Sequence, residues 1–163
     1  MPQFSHRLKR QDNITTSDIL TNIQDLRNKN LEDFSKKIFH NMEPDFLKKI
    51  KTGDFLVSGD NFGEGMDSEK AALALKNTGI KAVIAKSFDR NFFRDAFNAG
   101  LCVVECETTF IDDMDELELD LKHNRIKNLS KGINIEITPI HPKMIEFLDK
   151  GGVIEYFKNQ KNF

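Results

Sequence analysis

A glycine-rich turn that feeds a helix, followed by strand, helix and strand, occupies residues 58–105 and constrains this chain more than any other feature. The stretch reads SGDNFGEGMDSEKAALALKNTGIKAVIAKSFDRNFFRDAFNAGLCVVE. Gly59, Gly63 and Gly65 lead into a segment carrying Ala71, Leu73, Ala74 and Leu75, which stops at Asn77-Thr78-Gly79. Asp67 or Ser68 can cap that helix. The apolar run Ala82-Val83-Ile84-Ala85 predicts a strand. Arg90 to Asn98, with Phe92, Phe93, Ala96 and Phe97 on one face, predicts a second helix, and Leu101 to Glu105 a second strand. This order suggests an α/β layer. A tight glycine loop at a helix N-terminus also presents backbone N–H groups that can hold an anion, which places a small anionic ligand near residues 61–70.

The flanking segments are less regular. Residues 1–10 read as a frayed or edge segment, and Asp12 to Leu20 as a strand entering a loop. From Thr21 to Lys37 the chain is rich in Asn, Lys and Asp, with Glu32 and Asp33 opening a helix. A short helix is expected after Pro44, and a strand at Asp54 to Ser58. The acidic run Ile111 to Glu116 reads as a solvated loop or a helix start. Leu117, Leu119 and Leu121 alternate as in a strand, with a helix the other reading, and Ile133-Asn134-Ile135-Glu136-Ile137 alternates cleanly as a strand. Pro142 to Lys150 predicts a helix closed by Gly151-Gly152, with Val153 to Phe157 a last strand or helix.

Composition excludes several functions. With 24 Lys+Arg against 26 Asp+Glu and a net charge of −2, no basic face offers itself to nucleic acid or an anionic membrane. No apolar run is long enough to span a bilayer, and no apolar segment follows the N-terminal basic residues, so a cytoplasmic protein is expected. The chain has the length of one domain. Cys102 and Cys106 are the only cysteines, too few for a structural zinc or an iron–sulfur cluster, and they read as small core residues of a strand. The four histidines are scattered without metal-ligand spacing, so no metal ligands are expected.

The same block resembles the small subunits of 3-isopropylmalate dehydratase and the swivel domains of aconitase and homoaconitase. Their pattern runs N-F-G-x-G-S-S-R-E-H-A-x-x-A-L, then G-I-x-x-V-I-A-x-S-F-A-x-I-F, then N-x-x-N-x-G-L. Asn61-Phe62-Gly63-Glu64-Gly65 matches the opening, and Gly79-Ile80, Val83-Ile84-Ala85, Ser87-Phe88, Phe92, Asn98 and Gly100-Leu101 match further on. Asp12-Asn13-Ile14-Thr15-Thr16 resembles the N-terminal D-N-I-x-T-D, and Glu43-Pro44-Asp45-Phe46 an L-D-P-x-F segment. The resemblance covers roughly residues 5–106. It implies a three-layer β/β/α swivelling domain of the aconitase C-terminal type over residues 1–163, with a flap at about 20–40. It further implies the small subunit of a hydro-lyase of leucine-biosynthesis type, acting on a small carboxylate. Such a subunit is not active alone. It binds no cofactor itself and works with a large subunit that carries a [4Fe–4S] cluster.

In that family the first Ser of G-S-S-R is the base that abstracts a proton from carbon, and the Arg grips a substrate carboxylate. Here Met66 stands at the first Ser, Asp67 at the second and Ser68 at the Arg, with Lys70 at the His. A thioether has no ionisable proton. Upstream, Ser17 takes the place of the Asp of T-D, with Asp18 one position on; Ile23 takes that of the flap Arg, with Arg27 four residues on. The candidate catalytic residues are therefore Asp67 and Ser68. The candidate substrate-binding residues are Thr16, Asp18, Arg27, Asn61, Gly63, Gly65 and Arg90. Two other readings stand beside this one. Asp67 can cap the helix and fill the anion position itself, and the chain can be a catalytically silent paralogue that acts as a binding or regulatory module.

Overall fold

The computed structural model describes residues 1–21 and 30–160, with Phe34 described by its backbone alone. The flap candidates Ile23 and Arg27 lie outside the described residues. Four parallel strands run in the order β1 (Ser5–Arg7), β2 (Phe55–Val57), β3 (Ala82–Ala85) and β4 (Cys102–Glu105). Both faces of this sheet are covered, which is why its central strands β2 and β3 are continuous apolar runs. Leu56, Val83, Ala85 and Val103 point into a core shared with the helices. Phe55, Val57, Ala82, Ile84 and Val104 point the other way, against Leu117, Ile126, Ile135 and Ile137.

Those last residues belong to a second, antiparallel sheet of β5 (Leu117–Asp120), β6 (Arg125–Asn128) and β7 (Ile133–Glu136). The helical layer contains α1 (Thr16–Leu20), α2 (Leu31–Ser35), α3 (Phe46–Lys49), α4 (Ser68–Asn77), α5 (Arg90–Ala99), α6 (Pro142–Asp149) and α7 (Val153–Gln160). Ala71, Ala72 and Ala74 keep one face of α4 narrow, and Phe92 and Phe97 of α5 fill the space beside it. Sheet, sheet and helices make the three layers of the expected β/β/α fold.

Two local readings change and a third resolves. Residues 12–20 form no strand: α1 starts at Thr16, fixed by a capping box in which the Thr15 hydroxyl accepts from the Asp18 N–H and Asp18 accepts from the Thr15 N–H. Of the two readings of residues 1–10, frayed or edge, the edge one holds. Ser5 and His6 are buried in an edge strand, and His6 Nε2 meets Asp54 Oδ2 at 2.6 Å. The acidic run is not wholly solvated, because Asp115 is buried and accepts from the Asn128 side chain at 2.8 Å.

Candidate functional site

The segments that follow β1, β2 and β3 meet at the carboxyl end of the parallel sheet, the usual place for ligands in open α/β sheets. The glycine loop lies in the middle and is stitched to both neighbours. On one side Gly59 N donates to Gln11 O, Gly63 N to Ile14 O at 2.7 Å, and Thr16 N to Glu64 O at 2.9 Å. On the other, Phe62 N donates to Ser87 O and Asp89 N to Phe62 O. Asn61 sits at φ 51°, a left-handed conformation that Asn tolerates. Its backbone N donates to Ser87 Oγ at 2.8 Å, and its side chain to Glu64 Oε2 at 2.8 Å.

Two glycines are required by close approach. Gly63 has φ +94°, and a Cβ there would stand 2.3 Å from the Phe92 ring. Gly65 has φ +128°, and its Cβ would stand 2.5 Å from Thr16 Oγ1. Thr16 is 1% exposed, and its hydroxyl is the buried side-chain polar atom left without a hydrogen-bond partner among the described residues.

Asp18 is brought to the same end but is already engaged. Its Oδ2 accepts from Thr15 N at 2.8 Å, from Thr15 Oγ1 at 3.0 Å and from Arg10. Arg10 is a cation at the site that the sequence reading missed, with no motif to announce it.

Asp67 stands at the N-cap position of α4 but does not cap it. Its backbone is left-handed (φ 61°, ψ 33°) rather than extended, so the carboxylate makes no bond to the first-turn amides. The expectation that Asp67 fills the anion position by capping is thus corrected. Met66, at the loop tip, is 81% exposed. Ser68, 8% exposed, turns its hydroxyl to α5 and donates to Asp95 Oδ2. The other Asp95 oxygen lies 3.6 Å from Arg94 Nε. Asp95 was also missed. The signal was there, because the family pattern N-x-x-N-x-G-L has Asn where this chain has Asp95. Arg90, exposed at the start of α5, lies one turn before Arg94 on the same helix.

Among the described residues, no group of three His, Cys, Asp or Glu side chains is arranged to hold a metal. Cys102 and Cys106 are free, and burial pushes both thiols up to about 12. A cavity of about 890 Å³ lies near α2 and the end of α4, away from the glycine loop. No described helix is long and apolar enough to cross a membrane.

Comparison with known proteins agrees with this geometry. Residues 4–109 match the aconitase C-terminal domain. The chain is 50% identical over 129 residues to 3-isopropylmalate dehydratase small subunit 1 of Archaeoglobus fulgidus, covering 78% of this chain and 80% of that protein. It is 40% identical over 153 residues to the 3-isopropylmalate dehydratase small subunit of Halothermothrix orenii, covering 93% and 92%. A crystal structure of 3-isopropylmalate dehydratase from Methanocaldococcus jannaschii superposes with a TM-score of 0.90 at 35% identity, over 98% of this chain and 94% of that one.

Proposed function

This chain belongs to the aconitase C-terminal domain family, among the 3-isopropylmalate dehydratase small subunits, and on that footing we propose how it acts. It closes the active site of a hydro-lyase that dehydrates and rehydrates a small 2-hydroxy carboxylate in leucine biosynthesis, in the cytoplasm. A large subunit is its partner. A [4Fe–4S] cluster on that subunit supplies the Lewis acid that polarises the departing hydroxyl. The observation that carries this reading is the convergence of three loops at the carboxyl end of the parallel sheet, with a Thr16 hydroxyl beneath the glycine loop that has no partner among the described residues. Relatives that match nearly the whole chain are named as dehydratase subunits, which favours this over a silent module.

Within the site, the backbone at Gly63 and Gly65, the Asn61 side chain and the Thr16 and Asp18 side chains line the substrate. Arg90 and Arg27 are the cations for its carboxylates. The proton acceptor is Ser68 or Asp67, since the Met66 thioether has no ionisable group to act as a base.

The test is co-purification with the candidate large subunit, its cluster reconstituted anaerobically, then a hydratase assay on 2-isopropylmalate, citraconate and homoaconitate. Turnover that requires both chains supports the reading. A complex with no turnover on any of the three, or no complex, sinks it.

A further inference from the structure

We propose that Ser68 and Asp95 form one acid–base unit in this site. Ser68 takes the proton from the substrate carbon, and Asp95 is the positioning residue that holds Ser68 and receives its hydroxyl proton. This rests on the hydro-lyase reading above.

Three observations converge. First, the two positions touch. Ser68 opens α4 and Asp95 lies 27 residues away in the middle of α5, yet the Ser68 hydroxyl donates to Asp95 Oδ2. Secondly, both positions depart from the family pattern, and they depart together: Arg has become Ser68 and Asn has become Asp95. The second change suits the first. An Asn can donate or accept and would leave the serine proton unassigned, whereas a carboxylate only accepts, so the hydroxyl must donate to it. The lone pairs of Ser68 Oγ are then left to accept. Thirdly, the pair is shielded. Ser68 is 8% exposed and the Asp95 side chain 18%, and a hydrogen bond to a carboxylate is strengthened where water is scarce. Arg94 accompanies the other Asp95 oxygen at 3.6 Å, which leaves Oδ2 to the serine.

The alternatives at this loop are weaker. Met66 carries no basic group for the task, and Asp67 stands in a left-handed backbone with its carboxylate making no cap bond to α4. In the proposed step the substrate C–H bond breaks and its proton moves to Ser68 Oγ. The original Ser68 proton moves to Asp95 Oδ2. The electron pair left on carbon becomes the new C=C bond as the neighbouring C–O bond breaks and hydroxide departs toward the large subunit. Asp95 then releases its proton to solvent, so that one water is lost overall.

The experiment uses the two-subunit complex with Asp95→Asn, Ser68→Ala, the double variant, Asp95→Glu and Ser68→Thr. A general base is worth roughly 10²–10⁴ in rate. Asp95→Asn and Ser68→Ala are therefore each expected to lower kcat by about 10²-fold or more, with KM changed by less than about threefold. The double variant is expected to lose no more than either single variant, as residues acting as a unit do. Asp95→Glu recovers part of kcat, and carbon-deuterated substrate slows Asp95→Asn more than it slows wild type. A scaffold residue would not change that isotope effect. Should Asp95→Asn fail to fold, Ser68→Thr and Ser68→Ala decide: turnover kept by the first and lost by the second supports the unit, and equal behaviour overturns it. Wild-type turnover with Asp95→Asn unchanged, or with additive losses in the double variant, overturns the unit alone. A wild-type complex silent on all three acids overturns the functional reading and the unit with it.

Discussion

Thr16 Oγ1 lies 2.5 Å from the point where a Cβ on Gly65 would stand, and it is buried with no hydrogen-bond partner among the described residues. An unpaired buried hydroxyl costs about 1–3 kcal/mol. Replacing it by the similarly shaped valine is expected to raise stability by about 1 kcal/mol, read as a higher urea midpoint at unchanged slope. In the complex the same Thr16→Val variant should bind substrate more weakly and raise KM. Stability gained while binding is lost is the pattern of a group kept for a ligand. Lower stability with an unchanged KM would mean that the hydroxyl serves the fold instead.

Gly65→Ala should fail from the other side of that contact. At φ +128° a side chain is strained, and its Cβ must push Thr16 aside. A penalty of about 1–3 kcal/mol is expected, measured by urea unfolding. Combining Gly65→Ala with Thr16→Val should recover little of it, since most of the cost is in the backbone.

The β2–β4 strands and their helices were legible because each is an apolar run or a one-sided helix whose burial decides its structure. The β6 strand was not, because Arg125-Ile126-Lys127-Asn128 buries only one apolar side chain and holds its place by pairing on both sides. The α1 helix was misread for a related reason. Its Thr, Ser and Ile favour strand locally, but one reciprocal cap between Thr15 and Asp18 starts the helix. At the site, the glycine loop could be located from spacing alone. Asp95 showed only as a departure from the family pattern, and its role comes from a contact with Ser68 on another helix; Arg10 had no motif, and its role comes from a local contact with Asp18.

The His6–Asp54 pair ties acid stability to one carboxylate. Burial pushes the Asp54 carboxyl up, but the donors on it outweigh this: the Phe4 N–H, the His6 ring and the Lys51 N–H hold it below its ordinary value. A group whose pKa is depressed on folding stabilises the protein above its unfolded value, near 4, and loses that contribution as pH falls through the folded one. Wild-type stability should therefore drop below about pH 4, and Asp54→Asn, already weaker at pH 7 by a few kcal/mol, should show a shallower drop. Urea midpoints from pH 7 to 3 check this. Parallel curves would locate the acid sensitivity elsewhere.

Burial that lifts both thiols to about 12 leaves almost no thiolate at neutral pH, and thiolate is the reactive form. Cys102 and Cys106 should react slowly with a thiol-specific dye in the folded protein at pH 8, and rapidly once urea unfolds it. Fast labelling of Cys106 in the native chain would mean that the strand end opens.

Met66 separates the two places where a base could reside. At 81% exposure it contributes little to packing, so Met66→Ser should change stability by less than about 0.5 kcal/mol. It restores the hydroxyl that the family pattern has at this position. If proton abstraction has moved to Ser68 and Asp95, Met66→Ser placed on Ser68→Ala should leave the double variant as slow as Ser68→Ala alone. Ser68 has Asp95 to orient its hydroxyl. Rescue of turnover by Met66→Ser would instead mean that the loop still presents position 66 to the substrate, and that the methionine alone had weakened the enzyme.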